Sequence, residues 1–409
     1  MVITDDALER DIAAFVSNEN RLQTFSYREI RDALHSLSVA LSSRRHPLYE
    51  QYRPLGLAFL LSFLSSCNLD KLVKFSLRSL EAIDRIVSIE GTRCCCIPRG
   101  VVGHWIAGNV PLLGLLSLIQ AMLTKNRSIV KISSRQKDYI SPVLDALATV
   151  SDVGRALASS VKVVQFSGSE QEANLAMAEA CTVRIAWGGE EAVRSIKALP
   201  SYSDDVETVV FGPKLSVAVI DHALMNEERY DKLVADVILF NQNICSSPHT
   251  LFVKGDKKAL LRVTICIKEA FDRATTSPDF PKSEPHEAID ILTYRALQWM
   301  EGEALHASKG TEWTIHTHDQ LGLLSWQGAR TLQLYSVKDW AVPLRYLPHN
   351  LQTVSHCLNR HDLDELINLW KYSGVTRFPR IGNAHHYTQP WDGVILLDRL
   401  VKWLYIEDQ

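Results

Sequence analysis

The sequence predicts an α/β fold: two doubly wound α/β domains with a helical N-terminal region. Three observations predict it. Residues 1–90 read helical, and "LDKLVKFSLRSLEAIDRIV" carries apolar side chains at three- and four-residue spacing. From Cys94 onward, short β-branched or apolar runs alternate with helical stretches. Those strand runs are almost continuously apolar, as in a mostly parallel sheet covered by helices on both faces.

The elements follow in order. "CCCIP", "SIVKIS", "SVKVVQF", "TVRIAW", "ETVVF" and "LSVAVID" are the candidate strands. "PLLGLLSLIQAML", "SPVLDALATV", "EQEANLAMAEAC" and "EEAVRSIKAL" are the helices between them. The alternation repeats after Asp221, with helix "EERYDKLVADVILF", strand "HTLFVK" and helix "KKALLRVTICIKEAF". A loop rich in Pro and Ser at 275–287 precedes the helix "AIDILTYRALQWM". The boundary between the two α/β units is expected within 212–221. No internal repeat, low-complexity tract or heptad array is present.

A chain of 409 residues has room for two or three domains. With 46% hydrophobic and 22% charged residues, the composition is that of a soluble globular protein. A net charge of −3 gives no general attraction to nucleic acid or anionic membrane. The acidic start "MVITDDALERDIAAF" lacks the pattern of a secretory signal. The apolar run at 55–64 is too short to span a bilayer. The run at 101–123 is long enough but contains His104, Asn109, Pro111 and Gln120, so it reads as a buried strand, a turn and a buried helix. No membrane span is expected. Eight scattered cysteines without a signal point to the cytoplasm. "RCCCIP" reads as small hydrophobes on a buried strand, since adjacent strand side chains face opposite ways. His356, Cys357 and His361, like His385 and His386, lack zinc spacing, so no metal site is expected.

Four stretches carry candidate chemistry. "FNQNICSSPH" sets Cys245 among small and amide-bearing residues, with His249 close behind. Cys245 reads as a nucleophile, a core thiol or, least of all, a metal ligand. "HWIAGNVPLLG" places Asn109 in a turn before a buried helix, where its amide serves as an oxyanion donor or a simple cap. "SIVKISSRQ" puts Lys131 at a strand end, where ligands of open α/β sheets bind, with Ser133, Ser134 and Arg135 after it; a solvated lysine is the alternative. "VVQFSGSEQEAN" runs a strand through Ser167, Gly168 and Ser169 into a helix, a weak phosphate-site pattern. Gly188 and Gly189 in "WGGEEAV" form a second such junction.

In this order, "GNVP", "IVKISS", "FSGS" and "NQNICSSPHTLFV" resemble the aldehyde dehydrogenase superfamily. Within it, "WGG", "FGPK" and "FNQNICSSPH" resemble the acyl-CoA reductases of the bacterial luminescence (fatty acid reductase) type. The resemblance covers roughly Cys94 onward, and "RIGNAHHYTQPWDG" is similar to the late loop that closes such sites. It implies an aldehyde dehydrogenase-like fold. Residues 1–213 would form the helical region plus an NADP-binding domain, 214–378 the catalytic domain, and 379–409 a segment closing the site and packing back on the cofactor domain. It also implies Cys245 as nucleophile and Asn109 as oxyanion donor. Lys131 would bind ribose, with Ser167, Gly168, Ser169, Gly188 and Gly189 on the cofactor's phosphate side.

Two departures from the superfamily pattern sharpen the expectation. The glutamate that activates water in hydrolytic members has Val210, or in another alignment Ala186, at its position. Without a base, a thioester on Cys245 hydrolyses slowly, which favours aldehyde formation. Ser133, Ser134 and Arg135 stand where NAD-preferring relatives carry an acid, and hydroxyls with a guanidinium suit a 2′-phosphate. NADPH is therefore the expected cofactor and an acyl-CoA or acyl-carrier-protein thioester the expected substrate. By resemblance, a homo-oligomer and an acyl-transferase or synthetase partner are expected too. An aldehyde dehydrogenase, an acyl-phosphate reductase and a non-catalytic partner of an acyl-transfer complex are the alternatives. His249 is left to tune the thiolate, contact the thiol carrier or begin the next strand.

Overall fold

Helix Tyr27–Ser42 shows how the N-terminal region forms. Ser26 and Glu29 close a capping box at its start, and Ile30, Ala33, Leu34, Leu37 and Leu41 line its buried stripe. The computed structural model describes residues 5–106, 112–134, 136–201, 203–303, 305–324 and 326–407. The chain divides into two units: Met1–Gly212 with Tyr387–Gln409, and Pro213–His386.

The first unit holds a five-stranded parallel sheet. Its strands are β3 (Val101–Trp105), β4 (Arg127–Ser133), β5 (Val161–Phe166), β6 (Val183–Trp187) and β7 (Glu207–Phe211), in the order β5-β4-β3-β6-β7. Strands β3 and β6 are buried along their whole length, as strands covered on both faces must be. The strand order runs outward in both directions from the β3–β6 pair. A doubly wound sheet usually binds its ligand at such a reversal, beyond the strands' carboxyl ends. The run at 101–123 forms β3 and helix Leu113–Leu123, as its polar residues require. His104 is buried between the Ser117 and Ser128 hydroxyls at 3.0 and 3.2 Å, and burial pushes its pKa down to about 3. It is a neutral core residue. No helix among the described residues is long and apolar enough to cross a membrane.

Two expectations for this unit change. The helix predicted over "LDKLVKFSLRSLEAIDRIV" covers only Ser66–Leu77, because Arg78 turns left-handed at φ +58° and ends it. "CCCIP" belongs to β2 (Thr92–Pro98), which lies between β1 (Val87–Ile89) and β14 (Val401–Ile406) in a separate antiparallel sheet. Cys94 and Cys96 are buried, whereas Cys95 is only half-buried. That alternation is what an antiparallel strand with one covered face shows.

The second unit's sheet has the order β10-β11-β12-β9-β8-β13. These are β8 (Leu215–Asp221), β9 (Pro248–Lys254), β10 (Leu305–Ala307), β11 (Thr314–His318), β12 (Thr331–Val337) and β13 (Leu351–Cys357), all parallel except the β10–β11 pair. Helices Glu227–Ile238 and Lys257–Thr275 cover one face through Leu233, Val237, Val263, Ile267 and Phe271. Phe252, Tyr335, Trp340 and Trp370 pack on the other. Strands β10 to β14 lie beyond the candidates read from the sequence. For β11, β12 and β13 the reason is chemical: Thr314, His316, Gln333, Gln352, Thr353 and Ser355 are buried, so these strands read polar.

Candidate active site

The nucleophile segment leaves helix Glu227–Ile238 through a backbone few sequences adopt. Phe240, Asn241 and Gln242 have φ of +55°, +54° and +62°. Three consecutive non-glycine residues in the left-handed region cost about 1–3 kcal/mol each and persist only when their surroundings over-determine them. Here side chains supply the determination. The Gln242 amide donates to the carbonyls of Pro248 at 2.8 Å and Thr331 at 3.0 Å, and its oxygen accepts from the Thr331 N–H at 2.9 Å. The Asn241 and Asn243 amides donate to the Glu287 carboxylate at 3.2 and 3.1 Å. Arg330, fully buried, donates to the Asn241 side-chain oxygen, the Ser283 hydroxyl and the carbonyls of Thr311 and Glu312.

Cys245 emerges from this clamp half-buried, just before β9. The Ser216 hydroxyl donates to its carbonyl at 2.6 Å, which ties the loop to β8. Ser246 is fixed from the far side, with its Oγ 2.8 Å from His385 Nδ1. His385 Nε2 lies 2.9 Å from the Asp236 carbonyl. A carbonyl only accepts, so Nε2 carries the proton and Nδ1 accepts from Ser246. Burial pushes the His385 pKa down to about 4, which keeps that tautomer neutral.

Asp236 is buried too, and burial raises its pKa to about 7 despite the Gly382 N–H donated at 2.6 Å. Its folded pKa lies above the unfolded value of 3.8, so its stabilising contribution is complete below pH 3.8 and is lost as pH rises through about 7. Asp236→Asn removes that loss. Its stability relative to the unmodified chain should therefore rise between about pH 4 and pH 7, as urea midpoints would show. Equal midpoint differences at both ends of that window would contradict a buried protonated Asp236.

His249 falls to the plainest of its three readings. It is the second residue of β9 and buried, with its Nδ1 lacking a hydrogen-bond partner among the described residues. Burial pushes its pKa down to about 4, so the ring is neutral and does not form an imidazolium pair with a thiolate. Neither position weighed for a base offers a carboxylate. Ala186 is buried in β6 and Val210 packs beside it in the same core. Glu287, which the sequence did not single out, reaches the nucleophile segment, but Asn241, Asn243 and the Glu284 N–H occupy both its oxygens.

On the first unit, the expected cofactor residues gather at the carboxyl edge of the parallel sheet. Lys131 lies in β4 opposite Trp105 of β3, with its Nζ 5.3 Å from the Phe166 ring centre. Burial lowers its pKa, with Glu170 opposing. Ser133 ends β4 and Ser134 follows it. Ser167 to Ser169 follow β5; the Ser167 and Ser169 hydroxyls are 2.8 Å apart, and the Ser167 N–H donates to Glu170. Gly188 and Gly189 follow β6, and Gly189 begins helix Glu190–Lys197. A Cβ built on Gly168 or Gly189 meets no atom within 4 Å, which leaves open space along both turns. Glu172, Glu190 and Glu191 in the first turns of these helices offset the dipoles that would draw a phosphate. Asn109 and Arg135 lie outside the described residues.

The fold is that of the aldehyde dehydrogenases. It superposes on aldehyde dehydrogenase 21 of Physcomitrella patens with a TM-score of 0.70, at 13% identity over 98% of this chain and 90% of that one. An indole-3-acetaldehyde dehydrogenase of P. syringae, solved with NAD+ and IAA, matches with a TM-score of 0.68, at 13% identity over 98% and 89% of the two chains. Residues 22–403 match the family model described as acyl-CoA reductase (LuxC), and the chain belongs to that family of aldehyde-forming acyl reductases. It is 26% identical to the long-chain acyl-protein thioester reductase 2 of Photobacterium leiognathi, over 81% of this chain and 69% of that protein. It is 30% identical to the Vibrio harveyi long-chain acyl-protein thioester reductase, over 75% and 64%.

Proposed function

We propose that this enzyme reduces a long-chain acyl thioester with NADPH through a covalent acyl group on Cys245. The observation that carries the reading is the clamped left-handed segment, which spends stability to present one thiol before β9. The Cys245 sulfur attacks the thioester carbonyl, and the Asn109 amide and the Cys245 N–H receive the negative charge on its oxygen. The carrier thiol leaves, with the acyl group now on sulfur. Bound NADPH supplies the hydride for the second half of the reaction. The hemithioacetal on Cys245 then collapses, releasing aldehyde and restoring the sulfur.

The residues at the carboxyl edge fit a dinucleotide. Lys131 offers a buried ammonium, and the turns at Gly168 and Gly189 leave room for a ligand beside the backbone. Ser133, Ser134 and Arg135 would meet the 2′-phosphate. The missing base at Val210 or Ala186, and the engaged oxygens of Glu287, support aldehyde release over hydrolysis to acid. The acyl group arrives on CoA or on a protein, and the likeness to long-chain acyl-protein thioester reductases favours a protein carrier, hence an acyl-transferase or synthetase partner.

Intact mass spectrometry after incubation with acyl-CoAs of graded length, without NADPH, tests this directly. An added acyl mass that disappears on adding NADPH is expected. No adduct with any chain length, or strong aldehyde oxidation without CoA, would overturn it.

A further inference from the structure

We propose that Glu303, His316 and His318 form a binding site for a zinc-like divalent cation at the carboxyl edge of the second unit's sheet, apart from the nucleophile. One ligand atom from each residue lies within 4.8 Å of the other two. His316 and His318 stand two residues apart on β11, so their rings project from one face, with centroids 3.7 Å apart. Glu303, half exposed beyond helix Pro285–Met300, brings its carboxylate to 3.4 Å from His316 Nε2. Two imidazoles and a carboxylate with a fourth position left to water is a familiar zinc arrangement.

Two further observations point to a ligand. His318 Nε2 is shielded from solvent and has no hydrogen-bond partner among the described residues. A buried nitrogen of this kind destabilises the fold unless something binds it. The outer contacts are also those of metal ligands, whose second ring nitrogen is held by a neighbour. The Tyr294 hydroxyl sits 2.7 Å from His316 Nδ1, leaving Nε2 to face Glu303. His318 hydrogen-bonds Gln333 and stacks on Tyr335 at 4.6 Å, nearly parallel.

The sheet register separates this site from the chemistry. His318 ends β11 and pairs with Tyr335, which pairs with Phe252 inside β9. Cys245 precedes the opposite, amino end of β9. The cation therefore fastens the segment carrying Glu303, and through Tyr294 the helix before it, to the edge of the sheet. It takes no part in thioester chemistry, so the site stands whether or not the proposed reaction does.

Titration of the full chain with Co²⁺ tests the site, because low-coordinate cobalt absorbs visibly and a site without cysteine lacks the thiolate charge-transfer band. One Co²⁺ per chain is expected, without that band and displaced by one equivalent of Zn²⁺. His318→Ala and Glu303→Gln should each weaken binding at least tenfold, and Tyr294→Phe by about 10–100-fold. Glu303 is exposed enough that Glu303→Gln keeps the fold and decides the matter if His318→Ala does not fold. No bound Co²⁺, a thiolate band, or unchanged affinity in Glu303→Gln would overturn the proposal.

Discussion

Cys245→Ala is expected to reduce NADPH-dependent aldehyde formation to background, a loss on the order of 10⁶ if it matches the removal of nucleophiles from other covalent catalysts. It should also abolish the acyl adduct. The fold should survive. The side chain is half-buried and small, and the Ser216 hydroxyl holds the backbone carbonyl of Cys245 rather than its sulfur. Stability should change by less than about 1 kcal/mol, within the ordinary range for substitutions away from core or network positions. Steady-state NADPH oxidation, intact mass and a urea transition on the same preparation separate these outcomes. Turnover within about tenfold of the unmodified enzyme would eliminate Cys245 as the nucleophile.

Gln242→Ala should produce the next largest loss without touching a reacting atom. Its amide joins the start of β9, through the Pro248 carbonyl, to Thr331 at the start of β12. Removing it leaves two carbonyls and one N–H unsatisfied in a buried place, a destabilisation on the order of 3 kcal/mol. The left-handed turn loses one of its determinants at the same time. A thiol displaced by about 1 Å can lose about 10² in rate, so single-turnover acylation of Cys245 should slow by about that factor. A variant that is less stable but acylates at the normal rate would mean that Gln242 supports the fold alone.

These two residues mark how far the sequence could be read. Cys245 was legible because Asn109, Lys131 and the Ser167–Ser169 turn precede it in a recognisable order. Asn241, Gln242 and Asn243 were visible only as amide-bearing neighbours. What they do depends on Glu287, Arg330 and Thr331, which are distant in the chain and lie in runs with no motif. His385 was noticed as half of a His pair and set aside for lack of zinc spacing, yet it positions Ser246. His316 and His318 escaped notice altogether, because Glu303 reaches them only after helix Pro285–Met300 has turned back on β11. The parallel strands up to β9 were legible from apolar runs, whereas β11 to β13 were hidden by Thr, Gln, Ser and His, whose burial only the folded sheet reveals.

The pairing of β14 with β2 bears on how the chain is made. The second unit is one uninterrupted stretch, Pro213–His386, and has all its strands once that stretch has left the ribosome. The first unit must wait. Leu396, Leu397 and Leu400 are fully buried in it, and the Leu400 carbonyl accepts from Asn126 at 2.9 Å. Its parallel sheet, β3 to β7, emerges whole before the second unit, but β2 is left without its outer neighbour β14 throughout synthesis of the middle of the chain. Although the first unit leads in sequence, its antiparallel sheet is closed last, and β2 is where a chaperone would have most to protect.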